Sequence, residues 1–323
     1  MIQFSRYNFE EIYQKFIGWK PIFLIISFSK RLVLPGFDGI PFYDVFLFFF
    51  KGMQKGSITQ RASSLSFSFF LALFPAIIFF FTLIPYLPIS NFQTTLFEIL
   101  QAFLPSNAFE TVKSTISDII TNKRSGLLSV GFIMTLYFAT NGVNAIIEAF
   151  NQTYHTVESR SWIKQRLISI FLVIILSLLL IISISLITIG SFLLNYLVEY
   201  GILKGQITIY LLFVSRWIIL MAMLFFGVSF LYYYAPAKKK TFRFISAGST
   251  LATFLSLTTT FGFNYYVANF SKYNALYGSI GTLIIVLMWI YFNAIILLIG
   301  FELNASISYA KRKGKEIKEL KIQ

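Results

Sequence analysis

Six apolar runs, at about 65–87, 126–148, 167–194, 214–234, 244–268 and 276–303, constrain this chain more than any other feature. Each is long enough to cross about 30 Å of hydrocarbon as an α-helix rising about 1.5 Å per residue. Backbone N–H and C=O groups must be satisfied internally in hydrocarbon, which a helix does within a single segment. The expected fold is an all-α membrane protein, a bundle of six transmembrane helices. One domain is expected over 61–308, preceded by an interfacial segment over 1–60 and followed by a basic tail over 309–323. No internal repeat or low-complexity linker divides it. The composition agrees, because only 12% of residues are charged, against about a quarter in a soluble domain.

The formal net charge of +14 could point to a nucleic-acid partner until the basic residues are sorted by loop. Of 27 Lys and Arg, 21 fall in the first segment, the second and fourth connections and the tail. The other connections hold Lys113, Lys123, Arg124, Lys204 and Lys272, with Arg216 near a span. This asymmetry predicts a multi-pass plasma-membrane protein with both termini cytoplasmic. It makes the basic rim a contact for anionic headgroups, with no nucleic-acid partner expected.

The first 60 residues lack the marks of a secretory signal. The longest apolar run there, Ile22 to Phe28, is too short to span and lies between Lys20 and Lys30. Aromatic and aliphatic residues interleaved with Lys and Arg predict amphipathic helices in the headgroup layer, with Phe42 to Phe50 as one piece. Packing of these aromatics on the bundle is the competing reading. The run 198–213 is expected to form an external interfacial segment, which would leave Arg216 and Trp217 at the outer interface. Tyr232, Tyr233 and Tyr234 before Pro236 and three lysines predict an aromatic anchor where the fourth span leaves the membrane.

The few polar residues inside the spans are the candidates for function. Asn141, Asn144, Glu148, Asn151 and His155 are spaced three, four, three and four, which puts them on one helix face. They predict either the wall of a cytoplasm-facing polar cavity, with Glu148 as its ionisable group, or the wet face of a helix that has left the bilayer. Arg61 lies at the depth expected for Glu148 and Glu302, so an ion pair would lessen the cost of burying either charge. A snorkelling anchor is the other reading of Arg61. Pro75 is expected to kink the first span. Gly248, Ala252, Ser256, Thr260 and Asn264 recur every four residues as a ridge of small side chains for close helix packing. Asn293, Gly300 and Asn304 share a face of the last span, and Asn293 is deep enough to need a partner or to line a pathway. The set expected around a polar cavity is Arg61, Asn141, Asn144, Glu148, Asn151, Asn293, Glu302 and Asn304.

With no Cys and one His, thiolate metal sites, disulfides and His-rich centres are excluded. The chain carries no phosphate-binding loop, no HExxH and no clustered acidic pair for two-metal chemistry. No cofactor, metal site or catalytic residue is therefore expected.

Several of these residues also carry a resemblance. The run RASSLSFSFFLALFP over 61–75 resembles the opening span of the BrkB/YihY-like family of bacterial inner-membrane proteins. So do Asn144, Asn151 and Tyr154 ahead of Glu158, Arg160 and Arg166, the Tyr234 and Pro236 exit, and Tyr266 with Tyr273. The Tyr277-Gly278-Ser279 start of the last span, Trp289, and Gly300 to Ala305 complete the pattern over roughly 40–310. The resemblance implies six spans and a virulence-factor label. It also brings a former ribonuclease label, now regarded as belonging to an unrelated soluble metalloenzyme, and no catalytic residue to transfer.

The expected function is therefore that of a non-enzymatic transporter or envelope-maintenance protein whose substrate is a small molecule or lipid. A structural, partner-binding membrane protein is the alternative, and a membrane-bound ribonuclease a third. Alkaline phosphatase fused at the C-terminus should be inactive and green fluorescent protein there should fluoresce. The reverse pattern would overturn the predicted orientation.

Overall fold

A computed structural model describes residues 27–55, 57–83, 125–152, 160–200, 205–237, 243–269 and 279–320. Among the described residues the regular elements are seven helices: α1 (Phe42–Lys55), α2 (Ile58–Leu83), α3 (Ser125–Asn151), α4 (Trp162–Glu199), α5 (Gly205–Tyr234), α6 (Ala247–Asn269) and α7 (Ser279–Leu320). Five of them, α2, α3, α4, α5 and α7, are long and apolar enough to cross a membrane. Helix α6, at 23 residues, is about 35 Å long. It is richer in Ser, Thr and Gly than the other five, so length and composition do not assign it as a sixth span.

The six long helices form a closed ring. Each packs on its neighbours in the chain, α2 to α3 and onward to α7, and α7 returns to α2. The starts of α2, α4 and α6 meet the ends of α3 and α5 at one end of the ring. There Arg61 touches Ala149, Gln165 touches Asn144, and Asn151 touches Ala237. Arg160, Lys164, Arg166, Arg243 and Lys311 cluster at this basic end. The outer faces are apolar and exposed, as at Ile182, Phe213 and Ile218, as a surface bathed in lipid tails requires. Hydroxyls in the helices bond back to their own backbone, Thr135 to Gly131, Ser183 to Leu179 and Thr253 to Ser249. That leaves them no unmet need in hydrocarbon.

Several sequence expectations change. Helix α2 begins earlier than the apolar run, at Ile58, and contains Pro75, which is buried. The stretch expected as a separate external segment instead divides between two helices. Residues 198 and 199 end α4, and 205–213 are the first turns of α5, because the apolar run continues without a breaker into the span. Arg216 is exposed along that continuous helix. Tyr232 is no interfacial anchor, being fully buried with its hydroxyl donating to the Leu297 carbonyl at 2.7 Å. The basic tail is not a separate unit, since α7 continues through it for 42 residues in all, about 63 Å.

Helix α1 lies lengthwise along that continuation. Phe48 meets Tyr309 edge-on at 5.0 Å, and Gly52 meets Glu302, so the two helices run antiparallel. Val45 is buried in this contact while Phe46 and Phe50 on the other face are each 52% exposed. The packing reading of the Phe-rich piece therefore holds for one face of the helix, and its opposite face is exposed. The piece from Ile22 lies almost wholly outside the described residues. A loop before α1 carries Gly36, Asp38 and Gly39 in the left-handed region. It aims the Asp38 carboxylate at Arg243, 2.9 Å, and Lys311, 2.6 Å.

The ridge on α6 closes the ring. A Cβ at Gly248 would stand 2.1 Å from the Gly300 carbonyl, and one at Gly300 would stand 2.4 Å from the Tyr232 hydroxyl. Both positions therefore need glycine for the backbones to come this close. Gly248→Val should lower the thermal aggregation midpoint of the detergent-solubilised protein by several degrees, a loss of about 1–3 kcal/mol or more for overpacking. The same change at Gly262, where a Cβ would meet nothing, should leave it nearly unchanged.

Candidate functional site

Arg61, on the first turn of α2, is 6% exposed. Its Nη1 donates to the Ala149 carbonyl at 2.7 Å. That carbonyl belongs to the last turn of α3, whose final C=O groups have no intrahelical donor, so the guanidinium caps the helix and meets its negative dipole end. Nη2 stands 3.9 Å from Oε2 of Glu302, itself wholly buried on α7. The pair rules out the snorkelling reading of Arg61. Arg160 repeats the arrangement, its Nη2 donating to the Ala235 carbonyl just past α5 at 2.6 Å.

Glu302 depends on a residue that the sequence reading passed over. A Cβ at Gly52 would lie 2.0 Å from Glu302 Oε1. A glycine inside a helix costs about 1 kcal/mol relative to alanine, and that local cost was the available signal of a close approach.

Next to the ion pair, at nearly the same depth, lies a layer of aromatic rings. Phe150 of α3 stacks on Phe301 of α7 at 4.1 Å, and Tyr232 of α5 stands edge-on to both. All three are fully buried. Each sits four residues toward the basic end from a residue of the central cavity wall, namely Ile146, Leu297 and Val228. Side chains four apart stack on one helix face, so the three rings pack one turn toward the basic end from these wall residues, without lining the space themselves.

That space is a cavity of about 530 Å³ walled by side chains from all six ring helices. Phe69, Val143, Leu176, Leu224, Ala252 and Ile290 are representative of its lining, and Ser256 and Asn293 supply polar groups. Asn293 donates through Nδ2 to the Trp289 carbonyl of its own helix at 2.9 Å.

The residues expected around one polar cavity are distributed among separate contacts. Arg61 and Glu302 form the buried pair. Asn141 accepts from Arg166 Nη1. Asn144 donates to Glu148 Oε1 at 2.7 Å and accepts from Gln165 at 2.9 Å, binding α3 to α4, while Glu148 is exposed. Asn151 accepts from the Ala237 backbone N–H at 3.1 Å. Asn304 accepts from the Gly248 N–H at 2.9 Å and donates to Ser246 Oγ at 2.8 Å. Of the set, Asn293 lines the central cavity. His155 lies outside the described residues. Helical spacing placed the stripe on one face of α3 correctly, but the start of α4 packs on that face with matching Gln165, Arg166 and Ser169. Ser256, from the packing ridge, lines the cavity.

An all-helical ring with a lipid-facing exterior and charges gathered at one end defines a polytopic membrane protein. The Virulence factor BrkB family matches residues 49–321, and the chain belongs to that family. YfkH of Bacillus subtilis (strain 168), which bears a ribonuclease-like name, is 34% identical over 263 residues, covering 80% of this chain and 92% of that protein. A UPF0761 membrane protein of Mannheimia succiniciproducens is 25% identical over 267 residues, 81% and 88% of the two chains. Another, from Psychromonas ingrahamii, is 25% identical over 287 residues, 87% and 93% of the two chains. No solved structure matches the chain.

The geometry separates the two carboxylates. Removing one member of a buried pair costs about 3–5 kcal/mol, whereas apolar replacement of both is often tolerated. Arg61→Met and Glu302→Met should each lower the thermal midpoint more than the double substitution does. Glu148→Gln, exposed and still able to accept from Asn144, should shift it by less than about 0.5 kcal/mol.

Proposed function

We propose that this chain is a non-enzymatic plasma-membrane protein that admits an amphiphilic molecule to its central cavity, in transport or envelope maintenance. The observation that carries the reading is the cavity of about 530 Å³ bounded by all six ring helices. Its size lies within the range of ligand sites, and its mostly apolar wall with a few polar groups is the usual composition of one. The buried carboxylate Glu302 does not line the cavity. Ser256, Asn293 and the Trp289 indole, the polar groups among the described wall residues, are not acid–base groups at neutral pH, which supports a binding role over a catalytic one.

The basic end faces the cytoplasm, with both termini on that side and α6 as the sixth span. The loop distribution of Lys and Arg supports this orientation, as does the place of α6 between α5 and α7 in the ring. Exposed Lys51, Lys164, Arg243, Arg312 and Lys313 at this end supply contacts for anionic headgroups. A partner-binding role is favoured by a different feature, the ladder of Phe42, Phe46 and Phe50 on the outer face of α1.

Purified full-length protein reconstituted into liposomes should accelerate the transbilayer movement of a nitrobenzoxadiazole-labelled monoacylglycerol, diacylglycerol or ceramide, read by dithionite quenching. Rates equal to those of protein-free liposomes for all three would refute the transport reading.

A further inference from the structure

The central cavity and the polar end of the ring are different chemical environments, and the boundary between them decides which part of an amphiphile each can hold. The cavity wall offers a hydroxyl at Ser256 and an amide at Asn293, set among aliphatic and aromatic side chains. Asn293 has already used an Nδ2 proton on the Trp289 carbonyl. Among the described residues, none that lines the cavity bears a charge. Toward the basic end, Phe150, Tyr232 and Phe301 pack on one another, fully buried, one turn from the wall residues Ile146, Val228 and Leu297. The Tyr232 hydroxyl, which could have turned toward a polar guest, is bonded instead to the Leu297 carbonyl at 2.7 Å. The buried charges Arg61 and Glu302 face each other at the level of these rings, and neither lines the cavity.

We infer that the cavity takes the hydrocarbon tail of an uncharged or single-headed lipid, and that charged headgroups and hydrophilic solutes do not enter it. This rests on the reading of the central space as the functional site. A charged group in such a space would lose its hydration with no partner to replace it. Water would find too few hydrogen-bonding groups to fill it, and apolar cavities stay dry. A hydrocarbon chain restores the dispersion contacts that an empty space would forfeit along its whole lining. Asn293, with its amide oxygen still available, is the group positioned to meet a single ester or hydroxyl on that chain. At nine residues from Glu302, about 14 Å along α7, it lies deep within the bilayer.

Two measurements on the full chain in phosphatidylglycerol–phosphatidylcholine nanodiscs test this. The first uses a phospholipid with a mid-chain diazirine and maps the photoadducts by mass spectrometry. Adducts are expected on wall residues such as Leu176 and Val286 as well as on the outer face at Ile182. Gly227→Trp, which projects a ring into the cavity beside Leu176, should reduce the wall adducts at least fivefold and spare Ile182. Val286→Trp is a second blocking variant should the first fail to fold. The second measurement uses Ser256→Cys, whose thiol is alone because the natural chain has none. That thiol should resist a charged methanethiosulfonate reagent and react with an uncharged apolar maleimide.

Reaction with the charged reagent, with no wall adducts, would overturn the inference while leaving the cavity standing as a passage for hydrophilic cargo. Adducts confined to the outer face, with no reaction by either thiol reagent, would overturn the inference and the reading beneath it.

Discussion

The approach of α6 to α7 at Gly248 and Gly300 is the contact on which the remaining arrangement depends. Without side chains at these positions the backbones come so near that a Cβ at Gly248 would overlap the Gly300 carbonyl. That contact holds α7 against its neighbour where Tyr232 reaches the Leu297 carbonyl, and within a turn of Phe301 and Glu302. The aromatic layer and the ion pair are therefore built from residues adjacent to the same seam. Helix α7 also packs on α1 and α2, so it is the beam against which the ring closes.

Polarity is sorted along the helix axes. At the basic end, helix termini expose carbonyls that need donors, and two arginines supply them, Arg61 at Ala149 and Arg160 at Ala235. Asn151 and Asn304 accept backbone N–H groups at the same end. These residues join helices through the groups that helices leave unsatisfied. Farther in, hydroxyls return to their own helix and the central wall becomes apolar. The polar end is consumed by structure, and the space left open is suited to hydrocarbon.

Much of this was legible in the sequence. Apolar length predicted helices corresponding to each of the six runs, and equal depth made Glu148 and Glu302 candidate partners of Arg61, of which Glu302 is the one it meets. The ridge on α6 was identified as a packing seam, which Gly248 and Ala252 are. The reach of each helix was not legible, because α5 and α7 extend past the bilayer where no apolar threshold marks their ends. The partners of the α3 stripe were equally hidden. Spacing establishes which residues share a face, but the element that covers the face comes from elsewhere in the chain. Gly52 and Phe150 illustrate the limit: each matters through a residue more than a hundred positions away, Glu302 and Phe301 respectively.

By itself the sequence determined that the chain is helical, membrane-borne and asymmetric in charge, since these follow from local hydropathy, backbone hydrogen bonding in hydrocarbon and the placement of Lys and Arg. Only the tertiary structure decided that the polar residues knit the helix ends together and that the space among the helices is apolar. Those outcomes depend on which faces meet, and that is settled by the closing contact of α7 with α2 and α6 across intervals that no local pattern spans.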